Sequence, residues 1–330
     1  MIKTKITEIF DIEYPIICGS MMWLCIPRLC AAISEAGAMG NLTSGCYENE
    51  EDFRSAIYEV RKHTDKPFFV GLTTLPSVCI TPELNKMYIR VCAEEHVPAI
   101  EISGPTLDAV FGMEYIELLK DAGVKIFHKL GTVKHALHAQ KIGCDGVFCV
   151  GYEAGGHPHR DNVTSMVLTP TMAKALEIPV VAVGGIADGC TLAAALALGA
   201  EGIMMASRFI ATWECDVHGY IKHELINKHE FDTTLFGSKT LGIQGRSLKN
   251  KLIKDVLEIE RKGGGLIDIL PLIDGDRIKD AWLSGNADNA LLMVGQSIAH
   301  INGILSCKEV VRSMGEDAKK HFQRLNSLIQ

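Results

Sequence analysis

One unit recurs along this chain: a short apolar run, a polar or glycine-bearing turn, a helical segment, and a glycine just before the next apolar run. Four helical segments stop in this way, at Gly37, Gly123, Gly143 and Gly199, where glycine fits the left-handed position that follows a helix. The internal echo is closest between KIGCDGVF (141–148) and ALGAEGIM (197–204). Apolar runs at Tyr14 to Cys18, up to Thr43, from Phe68, at Pro98 to Ser103, Val124 to Lys129, Asp145 to Val150, Ile178 to Val183 and Gly202 to Ala206 read as strands. Between them, helices are predicted from about Pro27, over Glu50 to His63, Glu83 to Glu95, Leu107 to Asp121 and Val133 to Lys141, and from about Asp188. Strands that alternate with helices pair in parallel. Eight strand–helix units are complete by Phe209, the number that closes a barrel. The predicted fold is α/β, a (β/α)8 TIM barrel spanning 1–213.

Beyond Phe209 the alternation stops and no further strand run is evident. Residues 214–275 read as a helical lid or substrate domain, with KGGG (262–265) as its flexible point, and 276–330 as terminal helices packing back on the barrel, such as Ala287 to Ile301 and Cys307 to Met314. A lid over the C-terminal face excludes water from chemistry; a dimerisation or stabilising appendage is the other reading of the same segment.

Apolar residues make up 47% of the chain and charged residues 22%, enough for a large core, and the net charge of −7 argues against nucleic acid or an anionic membrane as partner. Eleven cysteines, scattered through apolar runs without a CxxC pair, read as buried free thiols of a reducing, cytoplasmic compartment. The first residues lack a signal-peptide core, and no run approaches the roughly 20 apolar residues of a membrane span. A homo-oligomer is compatible with all of this.

In such barrels the chemistry sits where strands end. That rule singles out Gly19, Met21 and Met22 after the first strand, Thr73 after the third and Lys129 at the end of the fifth. The longest barrel loop, GYEAGGHPHRDNV (151–163), follows the sixth strand. Its Gly155 and Gly156 suit close backbone approach to a ligand, and His157 can act as a general base near neutral pH; a solvated turn histidine is the plainer alternative. Gly184-Gly185 and Ala206-Ser207 end the seventh and eighth strands, the paired turns from which barrels build phosphate sites. A βαβ unit whose glycines serve only tight turning is the plainer alternative. Lys129 ends a buried strand, where an unpaired ammonium is costly; an anionic ligand, or a salt bridge to Glu101 or Asp145, would satisfy it. His157, His159 and Asp161, or His135 and His138, lack a full ligand set, so no metal site is predicted.

PIICGSM (15–21), TDKPFFVGLTTLP (64–76), GVKIFHK (123–129), GYEAGGHP (151–158), VAVGGIADG (181–189) and ALGAEGIMMASRF (197–209) together resemble the nitronate monooxygenase family, also called 2-nitropropane dioxygenase-like flavoproteins. Weaker similarity continues through GRSLKN (245–250) and GQSI (295–298). The resemblance implies FMN in a (β/α)8 barrel with a helical second domain. It also implies one of three activities: oxidation of alkyl nitronates or nitroalkanes with O2, reduction of quinones by NAD(P)H, or reduction of enoyl-acyl-carrier-protein thioesters. A phosphate-ligand barrel without redox chemistry is the alternative outside the family. The resemblance carries the family's base onto His157, the FMN phosphate onto Gly184, Gly185, Ala206 and Ser207, and ring or ribityl contacts onto Met21, Thr73 and Lys129, with Gly19 and Met22 beside them in the cofactor site. Gly155, Gly156 and Gln296 complete the implied cofactor site. Three departures stand out: Ala206-Ser207 where the family usually has Gly-Thr, Gly71 where relatives often carry asparagine, and a loop made basic by His159 and Arg160, which suits an anionic substrate.

Overall fold

The computed structural model describes residues 2–75 and 80–329; Pro76, which ends one of the quoted motifs, and Cys79 lie outside them. Eight strands form one parallel sheet: β1 (Ile16–Cys18), β2 (Gly40–Thr43), β3 (Phe68–Thr73), β4 (Ala99–Ser103), β5 (Lys125–Leu130), β6 (Gly146–Val150), β7 (Val180–Val183) and β8 (Gly202–Met205). Each pairs with its sequence neighbour from β2 to β8, and β8 pairs with β1. The seam between β1 and β2 is closed by a parallel bridge, Ile17 to Met39, with two backbone hydrogen bonds of 2.9 Å. The four helix-ending glycines all have positive φ, between 78° and 94°, so the punctuation seen in the sequence is conformational.

Side chains alternate across a strand, and the barrel interior is built in layers accordingly. Ile17, Met39, Phe69, Ala99, Phe127, Phe148, Val181 and Met204, one from each strand position, form a buried inner cluster. The helix Lys5–Phe10 plugs its N-terminal end, with the Phe10 ring 5.4 Å from Phe69 and 5.7 Å from Phe127. Two residues further along each strand direction, the same face presents Gly19, Asn41, Gly71, Glu101, Lys129, Val150, Val183 and Ala206. Small and polar groups replace aromatics there, which leaves the C-terminal end of the barrel open to a ligand.

Three expectations are corrected. The predicted helix from Leu107 to Asp121 is two helices, Leu107–Val110 and Glu114–Asp121, broken where Gly112 takes φ 104°. A hairpin is present after Phe209: β9 (Thr233–Phe236) pairs antiparallel with β10 (Gly245–Leu248). Each strand is only four residues long and partly polar, below what apolar alternation can reveal. The predicted helix from Ala287 to Ile301 is two short 3-10 turns, Ala287–Asn289 and Gln296–His300, around a non-helical stretch. In that stretch the Leu292 carbonyl accepts from the Leu248 N–H (2.9 Å) and the Ser247 hydroxyl (2.8 Å).

The last helix, Cys307–Asn326, starts at a Ser306 capping box and packs along the helix Gly189–Ala197. A Cβ on Gly189 would lie 2.6 Å from the Ala318 nitrogen, so glycine permits that close contact. Phe236, Leu252, Ile253, Val256, Ile269 and Leu291 form a separate small core. All ten cysteines among the described residues are free and eight are buried. Among the described residues no helix is long and apolar enough to cross a membrane.

Candidate functional site

The polar layer is organised by Glu101, which is wholly buried. Its carboxylate is ion-paired with Lys129 and accepts from the Asn41 amide, the Ser20 N–H (3.3 Å) and the Ser103 hydroxyl (3.5 Å). A buried carboxylate is tolerated when paired and hydrogen-bonded in this way. Lys129 is therefore not an orphan cation that demands a bound anion; of the alternatives open from the sequence, the salt bridge to Glu101 is the one formed, while Asp145 pairs with Lys125 at 3.1 Å. The Lys129 side chain remains 21% exposed, so part of it is still accessible from the barrel mouth.

The turn after β1 lies over this layer. The Ser20 hydroxyl shares a 2.9 Å hydrogen bond with Thr43, Met21 is half-buried and Met22 exposed. Trp23 takes φ 67°, uncommon for an aromatic residue and costly to hold; Lys279 sits 5.1 Å from its ring centroid. The Thr73 hydroxyl is already committed to protein partners, donating to the Ser103 carbonyl at 3.4 Å and accepting from the Leu75 N–H at 3.3 Å. A Cβ on Gly71 would come within 2.9 Å of Asn41 Oδ1 and 2.7 Å of Ser20 Cβ. Ser20 and Asn41 thus occupy the space of the asparagine expected at 71, and Asn41 Oδ1 has no hydrogen-bond partner.

The loop after β6 brings His157 to the mouth. Gly156 has φ 78°, and a Cβ on Gly155 would lie 2.6 Å from the Val294 carbonyl carbon. The His157 side chain is exposed at the mouth; desolvation by the protein atoms packed around it first, and Lys129 second, shift its pKa below the ordinary histidine value. Both influences favour the neutral imidazole, the form that can accept a proton. His159 pairs with Asp161 (3.4 Å) and His138 with Asp108 (2.9 Å). Among the described residues no group of three or more His, Cys, Asp or Glu is placed to hold a metal ion.

At the ends of β7 and β8 the two turns lie side by side, because Val183 pairs with Met204. Gly184 and Gly185 have φ 100° and 77°. A Cβ on Gly184 would meet the Ala154 nitrogen at 2.8 Å, so protein packing alone requires that glycine. Among the described residues the backbone N–H groups of Gly185, Ile186 and Ser207 donate to no protein acceptor. The Ser207 hydroxyl accepts from the Gly295 N–H at 3.0 Å, which leaves its own proton free. The Ala206 methyl is turned toward Gly19, 3.5 Å from an ideal Cβ there, and so into the barrel. Unpaired donors on adjacent turns fit a phosphate. The Gln296 N–H donates to the Glu153 carbonyl at 2.9 Å, while its half-buried side-chain amide has no hydrogen-bond partner among the described residues.

The structure therefore gathers the predicted residues into two neighbouring groups. Gly155, Gly156, Gly184, Gly185, Ala206, Ser207 and Gln296 lie at or around the turns after β7 and β8; Gly19, Met21, Met22, Thr73 and Lys129 lie at or around the polar layer; His157 stands at the mouth with them. Sequence reasoning missed Ser20 and Asn41 and treated Glu101 only as a salt-bridge partner. A glutamate inside the apolar strand AIEIS was the available signal.

Residues 3–317 match the model of a family described as nitronate monooxygenase. The chain is similar to the (3aS,4S,5R,7aS)-5-hydroxy-7a-methyl-1-oxo-octahydro-1H-indene-4-carboxyl-CoA dehydrogenase of Rhodococcus jostii, at 30% identity over 99% of both chains. Among solved structures it is similar to FabK from Thermotoga maritima, at 33% identity, full coverage of both chains and a TM-score of 0.91. It is also similar to nitroalkane oxidase from Streptomyces ansochromogenes, at 25% identity, 97% and 99% coverage and a TM-score of 0.82.

Proposed function

The chain belongs to the nitronate monooxygenase family of flavin-dependent oxidoreductases, and from that premise we propose that it binds FMN and oxidises alkyl nitronates, and nitroalkanes after proton abstraction, with O2 as co-substrate. The observation that carries this reading is His157, an exposed histidine presented at the mouth of the barrel by the glycine turn after β6, where its surroundings favour the neutral imidazole. The free N–H groups of Gly185, Ile186 and Ser207 and the Ser207 hydroxyl would hold a terminal phosphate, with Gly155, Gly156, Gly184, Ala206 and Gln296 around it. Gly19, Met21, Met22, Thr73 and Lys129 would border the ring. No GxGxxG fingerprint follows the first strand, which favours FMN over a dinucleotide. When bound, the flavin supplies a two-electron acceptor.

The chain's own groups do the rest. His157 Nε2 or Nδ1 takes the proton from the carbon beside the nitro group, a step that needs a neutral imidazole. Lys129 attracts the anion so formed and disfavours the imidazolium until the proton is passed on. We further propose that 214–275 acts as the lid or substrate domain over a barrel of 1–213, and that 276–330 braces it.

A second reading, redox chemistry next to an acyl thioester with NAD(P)H as co-substrate, is favoured by the coenzyme A dehydrogenase from Rhodococcus jostii. Anaerobic mixing with ethyl nitronate, NADH, NADPH and crotonyl-CoA in separate runs distinguishes the two. Rapid bleaching near 450 nm (approximately, for oxidised flavin) by the nitronate alone is expected. Bleaching by a nicotinamide and reoxidation by the thioester would replace the first reading with the second, and release of FAD in place of FMN on heating would refute the cofactor assignment. His157→Asn should lower nitroethane turnover by about 10²–10⁴-fold and leave nitronate turnover far less affected.

A further inference from the structure

Arg246 heads the fully buried side chains by size and is 2% exposed. Among the described residues no carboxylate lies within ion-pair distance of it. Its guanidinium donates to Thr233 Oγ1 (3.0 Å) and to the Tyr152 carbonyl (3.0 Å) and stacks 4.5 Å from the centroid of the Tyr152 ring, while Nε has no partner. Its backbone N–H donates to the Gly156 carbonyl at 2.7 Å, an antiparallel bridge between β10 and the loop after β6. A charge buried without a counter-charge destabilises, and an apolar side chain of similar volume would fill the space without that cost. What the guanidinium adds is direction, because its planar fork fixes two acceptors at once.

Both ends of the segment leading to His157 are in its grip, Tyr152 through the side chain and Gly156 through the backbone. A Cβ on Gly156 would meet no atom within 4 Å, so no side-chain contact is available to hold that residue. On the far side of the same loop, Gln244 just before β10 donates to Asn162 Oδ1 at 2.8 Å. The hairpin therefore clasps the His157 loop from two sides. We propose that Arg246 is a positioning residue for His157, and that the β9–β10 hairpin is part of the catalytic apparatus through it. This rests on His157 acting as the base.

The test compares Arg246→Lys and Thr233→Val with His157→Gln as reference, using the protein with its bound cofactor. Thr233→Val keeps the arginine and removes one acceptor, so it decides the matter if Arg246→Lys does not fold. A shift in His157 position of about 1 Å costs on the order of 10²-fold. Arg246→Lys should therefore lower kcat for nitroethane roughly 10–100-fold, with ethyl nitronate turnover within about twofold, and Thr233→Val should do the same to a smaller degree. The His157 titration, read in proton–nitrogen spectra and assigned by its loss in His157→Gln, should move up toward the ordinary value of about 6.5; Lys129, the charge bearing on the ring, is unchanged in both variants. An unmoved titration in folded variants overturns the proposal, as does equal loss on both substrates. Unchanged nitroethane turnover in His157→Gln would remove the base assignment instead, leaving the titration to judge the clasp.

Discussion

Gly71→Ala isolates the corner where the barrel's polar layer is packed most tightly. The new methyl carbon would stand 2.7 Å from Ser20 Cβ and 2.9 Å from Asn41 Oδ1, and closer still to Ser20 Oγ; separations under about 3 Å force a neighbour to move. Ser20 cannot swing away freely, because its hydroxyl is bonded to Thr43 at 2.9 Å and its N–H to Glu101 at 3.3 Å. Overpacking of this kind costs about 1–3 kcal/mol, of which the Ser20–Thr43 hydrogen bond accounts for about 0.5–1.5. At about 2.1 cal/mol/K of unfolding entropy per residue, a chain of 330 residues loses roughly 1.5 °C of Tm per kcal/mol. Urea midpoints are therefore the more sensitive readout than melting temperatures. Ser20→Gly removes two of the three close atoms while keeping the backbone N–H that serves Glu101. In that background Gly71→Ala should cost at least about 1 kcal/mol less, a coupling that a double-mutant cycle measures directly. Additive effects, or a Gly71→Ala protein as stable as the parent, would show that Ser20 and Asn41 do not fill the space at 71.

Two further outcomes follow from buried groups. His128 is fully buried, its Nδ1 is bonded to the Lys129 carbonyl at 3.1 Å, and desolvation holds its pKa below the ordinary 6.5. Below about 6.5 the unfolded chain takes up a proton that the folded one refuses, so this site favours folding above that pH and the advantage is lost as pH falls; His128→Gln should flatten the decline in urea midpoint between about pH 7.5 and 5.5, and an unchanged slope would contradict the assignment. Ser207→Ala removes the acceptor of the Gly295 N–H and a free hydroxyl donor. At about 0.5–1.5 kcal/mol for a neutral hydrogen bond, the Kd for FMN should rise about 2- to 13-fold, and equal affinity in a fluorescence titration would move the phosphate away from this turn.

The barrel is legible because each of its rules acts locally. Glycine before a strand, an apolar run of four to six residues and an amphipathic helix are all read within a dozen residues, and all eight strands lie where that reading puts them. The failures share a cause as well. The hairpin strands TTLF and GRSL are held by partners far off in sequence: Arg246 meets Gly156, and Leu248 meets Leu292. The stretch before Gly295 reads as helical from its apolar residues, yet its backbone is committed to β10 and to Ser207. Where tertiary hydrogen bonds decide the conformation, local periodicity has no information about it.

The candidate site divides along the same line. His157, the glycine pairs and Lys129 are marked by position at strand ends, but the electrostatic character of the polar layer depends on register. Ser103 pairs with Lys129 and Glu101 with Phe127, and this offset sets the glutamate beneath the lysine, where the two ion-pair. A demand for a bound anion at Lys129 holds only if its ammonium is unpaired. As an ion pair with Glu101, the lysine presents a dipole at the mouth, whose field falls off faster with distance than that of a lone charge. Lys129 can then act on a group in direct contact, as the proposed role for it beside His157 requires, while contributing little to drawing anions in from solution. Under the proposed reading, affinity for a phosphate-bearing ligand comes instead from the uncommitted N–H groups of Gly185, Ile186 and Ser207, on the turns that follow β7 and β8.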